Sequence, residues 1–278
     1  MAVFTARLSA QEQEQSQLSQ PAADIYELGY FEEYAINMSQ SIRDVVLQLV
    51  EEQEDTAFAE IIIENFEPAS VQQAMRKSLA RNYQAGPGAQ SIAHLNQPHI
   101  QVLMSRLYAS EVDLEDTETR RNFETYAARM ERATETEDAE TESARQRIAL
   151  VAEILQATRR IPLIVQALEE MLAIVMFAIN QSKPSEEQLS DEELNNLLLT
   201  LRGNFRAFFE DILLYVSLFS TRSESLESLQ VHLDFLRTES GQWFVRTYNN
   251  AILDSFDERG DAVSEALAQW AVDRISTE

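Results

Sequence analysis

Apolar residues along this chain recur at intervals of three and four, the spacing that places side chains on one face of an α-helix. Long runs in which apolar and polar residues alternate, as they do in strands, are almost absent. Only six Gly and six Pro occur among 278 residues, fewer turn-forming residues than a strand-rich protein needs. The pattern therefore predicts an all-α fold, a multi-helix bundle.

The same spacing predicts where the helices lie. In the first half we expect helices at about 24–54, 56–66 and 69–84, one that starts at Pro98, and one at about 116–132. In the second half we expect helices at about 145–158 and 161–179, an aromatic helix through 219, a helix that opens at Thr221 and runs through 236, and further helices at 242–256 and after 257.

Local signals mark several of the predicted helix ends. Ser190 and Thr221 each precede a glutamate by three residues, which is the spacing of a capping box. The tripeptide Gly86-Pro87-Gly88 predicts a firm break in the chain. Asp257 predicts the N-cap of the last helix.

Polar segments divide the chain into regions. Residues 1–23 are rich in Gln, Glu and Ser, a composition that predicts disorder. The run 134–142 has no bulky apolar residue, and we interpret it as an acidic hinge, with a solvated helix extension as the alternative. The hinge would separate a first helical half, 24–133, from a second, 143–278.

The segment 208–256 contains an ordered set of residues around a helix corner. An aromatic helix is followed by an acidic helix start. The helix that begins there ends in a corner, where the chain turns into a further helix. The characteristic residues of that corner are Phe235, Arg237, Gly241, Gln242 and Phe244. The order resembles the C-terminal signature of a bacterial family known as domain of unknown function 2059, although Thr238 and Glu239 stand where the family favours Ser and Pro. The resemblance implies an exported, all-helical protein.

A weaker echo of this corner lies in the first half. The segment 95–103 can be laid over 236–244 with an offset of 141 residues, and Pro98 then falls on Glu239. Duplication of a helical domain would explain the echo. Chance similarity between two amphipathic helices would explain it too, and the sequence leaves open whether the chain consists of two similar halves.

Acidic residues dominate both halves of the chain. The formal net charge is -25, with 25 acidic and 10 basic residues in 1–140 and 22 and 12 in 141–278. A negative field of this extent repels phosphates and anionic membrane surfaces. We therefore expect no nucleic-acid partner.

The first residues suggest export. Leu8-Ser9-Ala10, ahead of a polar run that starts at Gln11, resembles the end of a secretory signal peptide, but no basic start or full apolar region precedes it. An ordinary disordered N-terminus is the alternative. Together with the family resemblance, this step predicts a periplasmic location, with a cytoplasmic one as the alternative.

The most apolar stretch of the chain is 161–179. Glu169 and Glu170 lie near its middle, where carboxylates in a membrane-spanning helix would cost several kcal/mol. We therefore predict a central core helix with both glutamates on its exposed edge, and no membrane span.

Residue spacings reveal no catalytic, cofactor-binding or metal-binding site. The chain has no Cys, and His94, His99 and His232 lack the spacing of zinc ligands, so we expect separate structural or surface histidines. The acidic segment 254–265 lacks the Gly of a calcium loop, and the motifs of nucleophilic serines and phosphate loops are absent. We predict no site residues and no cofactor.

These observations favour a non-catalytic, exported helical protein with a binding or interaction role in the bacterial cell envelope. Its partner would be an unknown protein. One alternative is a binder of a small apolar ligand, in a cavity between the helices at 163–179 and 205–219. Another is an enzyme with an unrecognised acidic site.

Overall fold

The computed structural model describes residues 18–50, 57–109, 112, 114–136, 139–182 and 188–277. Every regular element within these residues is helical, so the all-α, multi-helix prediction is confirmed. Within the same residues, no helix combines the length and the apolarity that a membrane crossing requires.

The elements follow one another along the chain with short connections. They are α1 (Gln20–Leu28), α2 (Phe31–Val50), α3 (Ala57–Asn65), α4 (Pro68–Asn82), α5 (Ala85–Leu95), α6 (Pro98–Met104), a π-helical turn (Ser105–Ala109), α7 (Thr117–Glu135), α8 (Ala139–Ala157), α9 (Arg160–Ser182), α10 (Asp191–Ser220), α11 (Leu226–Leu236) and α12 (Glu239–Thr277).

The first predicted helix is two helices, so the prediction of one helix over 24–54 is wrong. The chain turns at Gly29, where a Cβ would lie 2.6 Å from the Cε2 atom of Phe31, and at Tyr30, which has a φ of 58°. The Tyr30 hydroxyl donates to the carbonyl of Gln101 at 3.2 Å and holds this left-handed residue in place. The first helix also begins at Gln20, inside the segment predicted to be disordered.

Other predicted boundaries were shifted by local packing. The Gly86-Pro87-Gly88 break is wrong, because these residues form the first turn of α5, where proline costs no hydrogen bond. Gly88 leaves room for the Tyr83 ring, because a Cβ at this position would lie 2.6 Å from the Cε2 atom of Tyr83. The capping box at Ser190 is confirmed by bonds in both directions with Glu193.

The second capping box, at Thr221, is wrong. Thr221 ends α10 and its hydroxyl donates to the carbonyl of Ser217 at 2.7 Å. The residue that caps α11 is Ser225, which accepts from the backbone of Ser228 at 3.0 Å. Asp257 caps nothing, since α12 runs without interruption from Glu239 to Thr277.

The long helix α12 lies at the centre of the fold. It packs against α3, α4, α5, α9 and α11, which come from both predicted halves. Its buried hydrophobic side chains include Trp243, Phe244, Val245, Tyr248, Ala251, Ile252, Phe256, Val263 and Leu267. Within the predicted hinge, α7 ends at Glu135 and α8 begins at Ala139, and residues of both helices belong to one hydrophobic core. The division into two halves stays a prediction.

The helix corner at 236–239 has a counterpart at 95–98 in the first half of the chain. The helix α5 ends at Leu95 and α6 begins at Pro98, while α11 ends at Leu236 and α12 begins at Glu239, 141 residues later in both cases. The backbone hydrogen bonds that close the C-terminus of the first helix of each corner repeat as well. Asn96 N donates to Ile92 O at 2.9 Å, and at the same offset Arg237 N donates to Leu233 O at 3.1 Å. The sequence echo is thus a repeated structural unit, and common origin of the two halves stays a prediction.

The residues of the second corner have structural roles. The Thr238 hydroxyl accepts a hydrogen bond from the backbone N–H of Gly241 at 3.0 Å and so caps α12. A Ser at this position could make the same bond. The Gln242 side chain donates to Leu236 O at 2.7 Å, which satisfies a free carbonyl at the end of α11. A Cβ on Gly241 would lie 2.0 Å from the carbonyl oxygen of Phe235, so only glycine permits this crossing.

The two corners meet through a buried histidine pair, which corrects the expectation of separate histidines. The Nε2 atom of His94 lies 3.1 Å from the Nδ1 atom of His232, and the His94 ring stacks on Phe235 at 3.9 Å. The Nε2 atom of His232 is buried and has no partner among the described residues. Burial lowers the pKa of His94 to about 4 and that of His232 to about 3; the charge of His99 adds to the lowering at His94, and the charge of His94 adds to it at His232.

Gly241→Ala should destabilise the protein by roughly 1–3 kcal/mol, because the added methyl group overpacks a backbone contact. Gly203→Ala is the matched control, since a Cβ there would meet nothing within 4 Å. Alanine at that helical position should stabilise by up to about 1 kcal/mol. Denaturant titrations of both variants check the prediction, and equal effects of the two substitutions would contradict it.

The histidine pair should make the fold sensitive to acid. The folded pKa values lie below the ordinary value of 6.5, so the unfolded chain binds more protons and stability falls as pH drops from 6.5 toward 4. The loss should reach about 2 kcal/mol for each histidine by pH 5.

The comparison that isolates this loss uses the double variant His94→Gln with His232→Gln, and Ala128→Gln on the exposed face of α7 as the control. The stability of the double variant should change less between pH 7 and pH 5 than that of the wild type, whereas the control should follow the wild type. Parallel pH profiles for all three proteins would refute the assignment.

Candidate ligand-binding cavity

An open cavity of 340 Å³ lies between α2 and α9, with one side chain each from α10 and α12. This volume is within the range of about 300–1,000 Å³ that is usual for small-molecule sites. The lining residues are Tyr34, Asn37, Met38, Ser41, Ile42, Val45, Ile164, Ala167, Met171, Phe209 and Phe256.

The walls of the cavity have different polarity. The face on α9 is apolar, with Ile164, Ala167 and Met171 one or two helical turns apart. Phe209 and Phe256 add aromatic surface from α10 and α12. Polar groups occur only on α2, which contributes Tyr34, Asn37 and Ser41 beside its apolar residues. The cavity therefore suits a mostly apolar molecule that has one polar end or edge.

As an alternative, a cavity was expected between the helices at 163–179 and 205–219. In the observed cavity α9 supplies three lining residues and α10 supplies one, Phe209. The contribution of α2 was missed, because residues that face a cavity have the same three-and-four spacing as residues that face a filled core. The available signal was the pair of small polar residues at 37 and 41 next to the apolar stripe of α2.

A cluster of polar aromatic residues adjoins the inner end of the cavity. Tyr34, Tyr108 and Tyr248 lie together, with ring centroids 5.9 Å apart for Tyr34 and Tyr248 and 5.3 Å apart for Tyr108 and Tyr248. The guanidinium of Arg160 lies over the Tyr108 ring at 4.8 Å and donates to Leu107 O. Sequence reasoning identified none of these four residues as a site.

The backbone on both sides of the cluster is irregular. Tyr108 and Leu107 belong to the π-helical turn, a geometry that is frequent at functional sites. Arg160 follows Arg159, a non-glycine residue with a φ of 53° that turns the chain between α8 and α9. The amide of Asn249 donates to Thr158 O at 3.1 Å and ties this turn to α12.

Electrostatics distinguish the cluster from an ordinary aromatic core. Burial raises the pKa of the Tyr34, Tyr108 and Tyr248 hydroxyls, and the charge of Arg160 opposes the rise at each one. The Tyr248 hydroxyl is buried and has no hydrogen-bond partner among the described residues. An unsatisfied buried hydroxyl costs about 1–3 kcal/mol, so a bound group that accepts a hydrogen bond from this atom would recover part of that cost.

Glu169 and Glu170 of α9 were both predicted to lie on its exposed edge, but the structure does not place both of them there. Glu170 is half-buried, its Oε1 accepts from the Gln166 side chain at 3.0 Å, and its Oε2 is buried without a partner among the described residues. Burial raises the pKa of Glu170, and the charges of Asp257 and Glu169 raise it further. Neither glutamate lines the 340 Å³ cavity.

No family model matches the chain, and comparisons with curated proteins and with solved structures find no significant match. The resemblance of 208–256 to domain of unknown function 2059 therefore stays a prediction. Within the described residues, no group of three or more His, Asp or Glu side chains is arranged to hold a metal ion.

Glu170→Gln should raise the melting temperature at neutral pH. A glutamate whose folded pKa is raised loses stability as pH rises above its ordinary value of 4.5, and glutamine does not ionise. The gain should vanish below about pH 4, where both states of the wild type are protonated. Thermal melts against pH check this, with the exposed Glu124→Gln as control; a pH-independent difference would contradict it.

Proposed function

We propose that this protein binds a small, mostly apolar molecule in the cavity between α2, α9 and α10, and does not transform it. The single observation that supports this function best is the open 340 Å³ cavity, whose polar lining is confined to α2. Transferring a ligand from water to such walls gains about 25 cal/mol for each Å² of apolar surface removed from water.

The side chains of the cavity are suited to adaptable binding. Met38 and Met171 stand on opposite walls, and unbranched thioether side chains adjust to ligands of different shape. The walls also come from four helices rather than from one loop, so the cavity is held open by the packing of the bundle. These features favour a carrier or sensor of apolar compounds.

Export to the periplasm is part of the proposal. It is supported by the family resemblance and by Leu8-Ser9-Ala10, which lies outside the described residues. A carrier in that compartment would take apolar molecules across an aqueous space. N-terminal sequencing of the protein from a periplasmic fraction tests the location, and recovery of the uncleaved chain from cytosol would refute it.

A second candidate function, docking of a protein partner, is favoured by exposed apolar side chains on α9 and α10. Phe177 near the end of α9 and Leu189, Leu197 and Leu199 around the start of α10 are 43%, 39%, 40% and 60% exposed. Apolar side chains left in solvent are used by interaction surfaces. Leu197→Glu with Leu199→Glu would abolish partner binding while leaving ligand binding intact, which separates the two functions.

The protein should bind linear 1-alkanols with an affinity that rises with chain length. Each added methylene buried in the cavity should lower Kd about fourfold, which corresponds to about 0.8 kcal/mol. The rise should stop once the chain fills the cavity. Isothermal titration with hexanol, octanol and decanol measures it, and native mass spectrometry of the purified protein shows whether a ligand is already bound.

A blocking variant identifies the cavity as the place of binding. Ala167→Phe should abolish alkanol binding, because Ala167 is buried and lines the cavity. Ala128→Phe on the exposed face of α7 is the matched control and should bind like the wild type. If circular dichroism shows that both variants are folded and both still bind the alkanols, this cavity is excluded as the binding site.

A further inference from the structure

We infer that the ligand is an amphipathic carboxylic acid, whose tail occupies the 340 Å³ cavity and whose carboxylate binds Arg160 and Tyr248 at its inner end. This inference rests on the proposed function and adds the chemical class of the ligand. It follows from the position of the cavity next to the cluster of Arg160 and three tyrosines.

The cavity and the cluster share two side chains. Tyr34 and Ile164 line the 340 Å³ cavity and also line a gap of about 10 Å³ beside Arg160 and Tyr248. These two side chains therefore border both the apolar space and the polar groups of the cluster. A gap of that size holds about one water molecule, so a carboxylate needs Tyr34 to change rotamer in order to enter it. Rotamer changes of this kind are common on binding.

Arg160 has donors available for an anion. Its guanidinium has five N–H groups, and its contacts are the bond to Leu107 O and the face of the Tyr108 ring. No carboxylate lies within ion-pair distance of Arg160 among the described residues, although the chain carries 47 acidic residues. By contrast, Arg81 and Arg237 form ion pairs across helices with Asp254 and Glu153.

Tyr248 provides the second donor. The residue is 4% exposed, and its hydroxyl lacks a partner among the described residues. A carboxylate has two oxygens, so one could accept from the guanidinium and the other from this phenol, in charge-assisted bonds about twice as strong as neutral ones. A neutral alcohol offers one oxygen and no charge, which predicts a clear preference for the acid.

The net charge of the protein works against an anionic ligand mostly at long range, and Glu33 is the one carboxylate whose charge reaches Tyr248 among the described residues. Charges separated by more than about 8 Å are largely screened at physiological salt, whereas contacts in a partly buried cluster are screened much less. The preference for the acid should therefore persist at physiological salt. Added salt should speed the association of the acid, because it screens the repulsion from the surface.

The test compares decanoate with 1-decanol at neutral pH and physiological salt, by isothermal titration. The wild type should bind decanoate about tenfold more tightly than decanol, as expected for a hydrogen-bonded charge. Arg160→Gln should lose about tenfold for decanoate and keep its affinity for decanol. Arg159→Gln, which removes the neighbouring charge outside this cluster, is the matched control and should behave as the wild type.

Tyr248→Phe is a milder second variant, because it removes only an unpartnered hydroxyl and retains the packed ring. It should weaken decanoate binding severalfold, leave decanol binding unchanged and melt no lower than the wild type. Decyl phosphate, with a bulkier head, should bind less tightly than decanoate, and tighter binding would overturn the assignment to a carboxylate.

The outcomes separate the two proposals. Binding of decanol and decanoate with equal affinity, or equal losses for both in Arg160→Gln, would overturn the carboxylate assignment while leaving the apolar site in place. Binding of neither compound by the wild type would overturn the proposed function itself and this inference with it.

Discussion

The structure depends on the close crossing of α11 and α12 at Gly241. The backbone of α12 approaches the Phe235 carbonyl so closely that no side chain fits between them, which fixes the direction in which α12 leaves the corner. A helix advances about 1.5 Å per residue, so that direction determines where residues two turns later lie. Tyr248 of the polar cluster and Phe256 of the cavity wall are both positioned in this way.

Contacts with α4 then hold α12 along its length. The Trp243 indole donates to Asn82 O at 3.3 Å, Ser78 donates to Asp254 at 2.6 Å, and Lys77 pairs with Glu258 at 3.0 Å. These residues are far apart in sequence but lie in order along two antiparallel helices. The ion pairs are partly exposed and each contributes little, so the apolar face between them supplies most of the stability.

The fold could be predicted from the sequence to the level of helices, but not to the level of their ends. Helix existence follows from apolar spacing, which is why α4, α7 and α9 lie within a few residues of their predicted positions. The break at Gly29 was missed because the apolar stripe continues across it, and the stop comes from a left-handed Tyr30 bonded to distant Gln101. The corner at Gly241 was predicted, because a glycine between two apolar helical stretches marks a turn or a close approach of two helices.

The candidate site was harder to predict because it is assembled from distant segments. Tyr34, Tyr108, Arg160 and Tyr248 come from α2, the π-helical turn, the start of α9 and α12, and no two of them are near each other in sequence. Each one taken alone resembles an ordinary core aromatic or a surface base. Their common property, burial beside an unpaired polar atom, exists only in the folded chain, so no motif search could detect it.

Retention of such a cluster costs stability, and the cost bears on function. A buried hydroxyl without a partner and a half-buried guanidinium could both be replaced by apolar groups at little loss or with a gain. A ligand that satisfies them only in the folded state would stabilise that state by mass action, by about 2.7 kcal/mol at a concentration one hundred times its Kd. The polar cluster is therefore a net cost to the empty protein and an advantage to the occupied one. The His94–His232 pair differs, because neither histidine lines the 340 Å³ cavity or the gap beside Arg160, and the contact between the two rings joins the two corners.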